Sequence, residues 1–150
     1  MLLESLLSIA VSAFPLIFKG EIPNAKAETK LQAPAAETLE LHAVEHLIIQ
    51  HTNAERRRYG LPSLAVDQHL VKSARAHAIW MTTRQTLTHT NQPVAENIAF
   101  GQESAAEAVR SWMNSPGHRA NILSAGHRRI GVAAFVARNG RIYWCQQFLK

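Results

Sequence analysis

Apolar residues recur at three- and four-residue steps along three stretches of the chain, and each stretch predicts a helix. In the first, Val44, Leu47, Ile48 and His51 share a face, and Gly60 with Pro62 provides the stop. In the second, Asp67 is a good N-cap and the stripe Leu70, Ala74, His77, Ala78 and Met81 runs on to about Arg84, with Val71 and Trp80 flanking. In the third, Ser104 and Glu107 have capping-box spacing, so a helix starts at Ala105 and presents Val109, Trp112 and Met113 on one side. Pro116 cannot continue that helix, and Gly117 lets the backbone turn, which delivers His118 at the start of a new segment. His51 and His77 read as hydrogen-bonded core histidines.

The period then changes to two. Residues 130–137 and 142–148 flank Asn139-Gly140, which predicts a hairpin with a two-residue type I′ turn and Phe135 opposite Trp144. Cys145 falls on the other strand face as a buried, inert thiol. Residues 85–103 carry no clear period and read as mostly irregular. Trp112, Trp144, Leu70, Val109, Ile130 and Phe148 are the expected core.

Before the first helix the pattern differs. Residues 5–18 form an uncharged apolar run, too short to span a bilayer comfortably, and Ala25-Lys26-Ala27 matches a signal cleavage site. Glu4 stands where a basic leader residue is usual. The expected division is a signal peptide or N-terminal anchor over 1–27, a linker over 28–43 rich in Ala, Glu, Thr and Pro, and one domain over 44–150. The protein is therefore expected outside the cytoplasm. There is no internal repeat.

Charge separates the same parts. Residues 1–45 carry three basic and six acidic side chains, whereas residues 46–150 carry thirteen basic and five acidic ones, an excess of eight. Such an excess attracts anionic surfaces. No aromatic-interleaved basic motif accompanies it, and the run Arg56-Arg57-Arg58 reads as a solvated helix face, so nucleic acid is an unlikely partner. The single Cys145 excludes an internal disulfide and a multi-cysteine zinc module.

Three constellations could carry chemistry. His42-Ala-Val-Glu45-His46 is a formal H-x-x-E-H zinc motif, but it sits at the edge of the acidic lead-in and has only three fixed positions. His89, Glu96 and His118 would leave a position open for water on a divalent cation, zinc by preference, if they converged. Glu96, set among Ile98, Ala99 and Phe100, is costly to bury without neutralisation, which makes it the candidate catalytic carboxylate. No G-x-S-x-G elbow exists, and Cys145 lacks an activating neighbour, so no nucleophile is recognisable.

Several segments occur in an order that resembles the CAP superfamily, the cysteine-rich secretory, antigen 5 and pathogenesis-related 1 proteins with SCP-like domains. They are Asn53-Ala-Glu-Arg56, Gly60-Leu61 with Leu64, Leu87-Thr-His89, Glu96-Asn-Ile-Ala99, Trp112 through Leu123, Arg129-Ile-Gly-Val132 and Tyr143 through Phe148. The chain is most similar to the compact, disulfide-free bacterial branch, over about 44–148. The resemblance implies an α/β fold, an α-β-α sandwich with a central antiparallel sheet between helical layers. It also implies a cleft with a His/Glu cluster that accepts a divalent cation. His89 and Glu96 match the first histidine and glutamate, and His118 the second histidine. The second glutamate is expected where this chain has Ser115.

The expected function is a secreted or surface-exposed binding module for a cell-envelope, lipid or protein partner, with any divalent cation held weakly. Metal-assisted hydrolysis at His89, Glu96 and His118 is the alternative, and nucleic-acid binding through the basic surface the third reading. Asn97 and Asn121 are expected to fasten the cleft loops.

Overall fold

The structure, a computed structural model, describes residues 39–150. The leader expected over 1–27 and residues 28–38 of the linker lie outside the described residues. Leu41 packs against the core just before α1 (Ala43–Arg58). The chain continues through β1 (Ala65–Val66), α2 (Gln68–Arg84), β2 (Ala95–Phe100), α3 (Ala105–Met113), α4 (Pro116–Ile122), β3 (Arg129–Val136) and β4 (Ile142–Leu149).

The four strands form one sheet in the order β1-β3-β4-β2. Only the short β1–β3 pair is parallel, while β3–β4 and β4–β2 are antiparallel. Helix α2 covers one face of the sheet, and α1, α3 and α4 cover the other, which is the three-layer α-β-α sandwich. Alternation along the strands splits the core accordingly. Ile130, Val132, Trp144 and Phe148 meet Ile48, Val109 and Trp112 on one side, and Ala133, Tyr143 and Cys145 meet Ala74, Ala78 and Met81 on the other.

Gly131 sets the distance of α2 from the sheet. A Cβ there would stand 2.1 Å from the carbonyl carbon of Leu70, so only glycine admits this approach. Asp67 caps α2 by accepting from the N–H groups of His69 (2.9 Å) and Leu70 (3.0 Å). Ser104 caps α3 by accepting from the Glu107 N–H, while the Glu107 carboxylate reaches back one residue further than a capping box requires, to the Glu103 N–H.

Several expectations need correction. The segment 85–103 is not mostly irregular, because Ala95–Phe100 is the edge strand β2. Its polar residues Glu96 and Asn97 face inward and are hydrogen-bonded there, which hides the strand from an apolar count. The hairpin slips by one residue: Phe135 faces Tyr143, and Trp144 faces Ala134. Gly140 has φ +79° but Asn139 does not have positive φ, and the Ala137 N–H donates to the Arg141 carbonyl across a three-residue loop. A type I′ turn needs positive φ at both central positions, so the longer loop with glycine in the left-handed conformation forms instead.

The inner face of α1 is Glu45, Ile48, Ile49, Thr52, Asn53 and Arg56, with Leu47 exposed and His51 half-buried. The Arg56-Arg57-Arg58 run is therefore not one solvated face. Arg56 is fully buried with no carboxylate partner among the described residues. Its guanidinium donates instead to the carbonyls of Pro62 (2.9 Å), Ile122 (2.8 Å) and Ser124 (2.9 Å), two of them at the negative end of α4. Burial, then the charge of Arg128, lowers its pKa below the usual arginine value.

Candidate functional site

Glu96 enters the site because β2 places its side chain on the α2 face, opposite Gln147 of β4. The residue is 7% exposed. One carboxylate oxygen accepts from the Thr90 N–H and from His89 Nδ1, both at 2.9 Å. The other accepts from Gln147 Nε2 at 2.9 Å and from the Cys145 thiol at 3.6 Å, with His77 Nε2 3.7 Å away. Burial works to raise its pKa, but the hydrogen bonds from Gln147, Thr90 and His89, together with the nearby His77, outweigh it and hold the carboxyl below its ordinary value. Glu96 is an ionised anchor whose acceptor positions are already taken.

That arrangement fixes which ring nitrogen of His89 meets Glu96. An ionised carboxylate only accepts, so Nδ1–H donates to it, and in the neutral ring the lone pair lies on Nε2. The side chain is 60% exposed, which presents Nε2 to solvent. A carboxylate behind an imidazole orients the ring. His77 is held the same way: its Nε2–H donates to the Thr88 carbonyl at 2.8 Å, and its ring stacks on Trp80 at 5.8 Å. A groove of about 390 Å³ lies here, between Trp80 on α2 and the loop 88–92, with His77 and His89 in its lining.

His118 sits half-buried on α4. Burial, and then the charge His89 would bring, lowers its pKa below the usual histidine range, so it is neutral at pH 7. The His89 imidazole is thus close enough to act on His118, although His118 is not hydrogen-bonded into the Glu96 cluster as His89 is. Its backbone is fastened from behind. Asn97 Nδ2 donates to the His118 carbonyl (3.1 Å) and to Gln146 Oε1 (3.0 Å), and Asn121 Nδ2 donates to the Glu96 carbonyl (3.2 Å) and to Asn97 Oδ1 (2.9 Å). Gln146 Nε2 then donates to Thr52 Oγ1 on α1 at 2.7 Å. Asn97 on β2 and Asn121 on α4 thus tie the strand and the helix to each other through backbone carbonyls, rather than fastening loops.

A cation ligated by His89, Glu96 and His118 together does not fit these positions. Donors close Glu96 on both oxygens, leaving the two imidazoles as available donors. Among the described residues no group of three or more His, Cys, Asp or Glu side chains is disposed to hold a metal ion. The H-x-x-E-H motif is spent on folding. Glu45 is fully buried, accepts from the His42 N–H at 2.8 Å, and is bound by Arg75 through Nε (2.7 Å) and Nη2 (2.6 Å). His77, Gln146 and Gln147 are site residues that sequence reasoning missed. The signal that marks the last two is a pair of adjacent glutamines inside an otherwise apolar strand.

The sequence profile of the cysteine-rich secretory protein (CAP) family matches residues 49–148. The chain belongs to the CAP family. A Bacillus subtilis relative, the uncharacterised protein YkwD, is 36% identical over 141 residues, covering 83% of this chain and 52% of YkwD. An outer surface protein of Borrelia burgdorferi shares the CAP fold at TM-score 0.63 and 22% identity, covering 69% of this chain and 89% of that one. An extracellular SCP-domain protein of Bacillus anthracis does so at TM-score 0.63 and 24% identity, covering 75% and 45%. NaASP2, solved with Zn²⁺, aligns at TM-score 0.56 and 15% identity over 70% and 78%. This CAP chain thus spans about half the length of YkwD. No helix among the described residues is long and apolar enough to cross a membrane.

Proposed function

We propose that this CAP domain works outside the cytoplasm as a non-catalytic binding module for a cell-envelope partner, with the groove over His89 as its ligand site. One observation carries the reading: Glu96, the only acidic side chain of the cluster, is buried and bonded to donors on both oxygens. A general base must reach the proton it abstracts, and this carboxylate reaches only His89, Thr90, Gln147 and Cys145. What faces the groove is the oriented Nε2 of His89, which suits a hydrogen bond to a ligand. The surface and extracellular descriptions of the Borrelia burgdorferi and Bacillus anthracis proteins agree with the export expected from residues 1–27.

Zinc, present with NaASP2, would meet two imidazoles here and no third protein ligand; the binding reading does not depend on it. The nucleic-acid reading is weakened because Arg56, Arg75 and Arg129 are committed to internal carbonyls, Glu45 and Asp67. Co-sedimentation with purified cell-wall fragments and with vesicles of anionic and neutral lipid tests the proposal. Retention that drops in His89→Ala is expected. Retention unaffected by that substitution, or absent from every fraction, would overturn it.

A further inference from the structure

We propose that the groove beside His89 takes an uncharged glycan chain, with one pyranose ring stacked on Trp80. This rests on the groove being the ligand site and adds the chemistry of the ligand. The chain has three tryptophans, and two of them, Trp112 and Trp144, are 1% exposed. Trp80 is 43% exposed. Its ring lines the groove together with His77 and His89 and is open to a ligand there.

The indole is also held in place. His77 lies against it with ring planes 10° apart, and His77 is itself fixed by the Thr88 carbonyl and flanked by Glu96. A pre-set ring loses little freedom when a ligand lands on it. A pyranose offers a flat face of C–H groups and a rim of hydroxyls. It therefore needs an apolar plate with short neutral donors and acceptors at the edge. The loop supplies Thr88, Thr90, Asn91 and Gln92 around the plate, and each amide both donates and accepts.

Charge selects the class of glycan. No Lys, Arg, Asp or Glu lines this groove, although the chain carries +5 overall. An anionic polymer would find no counter-charge here, whereas the separate groove between α1 and α3 presents Arg58, Arg110 and Arg119. At about 390 Å³ the space lies near the small end of ligand pockets, about 300–1,000 Å³, and admits a short stretch of chain.

Acrylamide quenching of tryptophan fluorescence in the full chain reads the contact directly, because Trp80 is the exposed indole. Chitotetraose and cellotetraose, both uncharged, serve as probes with and without acetamido groups, and tetragalacturonate serves as the anionic control. Shielding by either neutral probe and none by the control is expected; the pair tells whether the acetamido group is read. By calorimetry, Trp80→Ala should lose about tenfold or more in affinity and Trp80→Phe should retain part of it. Asn91→Ala and Gln92→Ala, at exposed positions, should weaken binding with circular dichroism unchanged. Absence of shielding by both neutral probes, or equal shielding by tetragalacturonate, overturns the proposal. If wall retention still depends on His89 in that case, the groove remains the site and only its glycan assignment falls; if it does not, both fall.

Discussion

Glu96→Gln tests the anchor at the centre of the site. The replacement amide keeps one oxygen for Thr90 and His89 but turns an NH₂ group toward Gln147 Nε2, donor against donor. Gln147 can relieve this by turning its own amide over, because its Oε1 has no partner among the described residues. The remaining loss is charge. Three close hydrogen bonds to a carboxylate become neutral ones, each weaker by about 1 kcal/mol. The neutral amide escapes the cost of burying a charge, which offsets part of that sum. We expect a net loss of about 2 kcal/mol at pH 7, or about 8 °C in Tm. The sign with pH follows from the lowered carboxyl pKa. Above the ordinary value of 4.5 the wild type holds the full stabilisation of ionised Glu96, and it loses that stabilisation as pH falls through the lower folded-state value. Urea unfolding of both proteins between pH 7 and pH 3 should therefore show a gap that narrows only on the acid side. A gap constant with pH, or none at pH 7, would refute the ionised anchor.

Other outcomes follow from the packing. Arg56→Met strips the partner from buried carbonyls and should cost about 3–5 kcal/mol in urea unfolding, with Arg56→Lys recovering only part because an ammonium cannot reach all of them in one plane. Gly131→Ala should cost about 3 kcal/mol by pushing α2 off the sheet, and wild-type melting would contradict the close approach. Trp112→Ala should cost about 3–5 kcal/mol, since it empties a fully packed site and leaves the Ile98 carbonyl without its indole N–H donor. Burial, then the charge and hydrogen bonding of Glu96, pushes the Cys145 thiol well above its usual range, so a thiol reagent at pH 8 should label it only after denaturant is added.

The helices were legible because caps and stops are local: Asp67, Ser104 and Gly60 announce their ends without reference to the rest of the fold. The hairpin was legible as a hairpin, but its register was not, because one extra loop residue rotates every pairing. What the pattern hid was polar burial. Glu45, Thr52 and Arg56 occupy the inside of α1, and Glu96, Asn97, Gln146 and Gln147 the inside of the sheet, each satisfied by partners far along the chain. An apolar count reads such positions as surface. The site shows the same division. His89 and Glu96 are seven residues apart and hydrogen-bonded, a proximity sequence order could suggest, whereas His77 arrives from α2 and Gln147 from β4 only through the fold.

The most direct test of the account is the release of soluble amino groups from peptidoglycan and from casein peptides by the zinc-supplemented protein. A binding module whose site carboxylate, Glu96, is committed to His89 predicts release equal to the blank. Release that chelator abolishes and Glu96→Gln eliminates would contradict it.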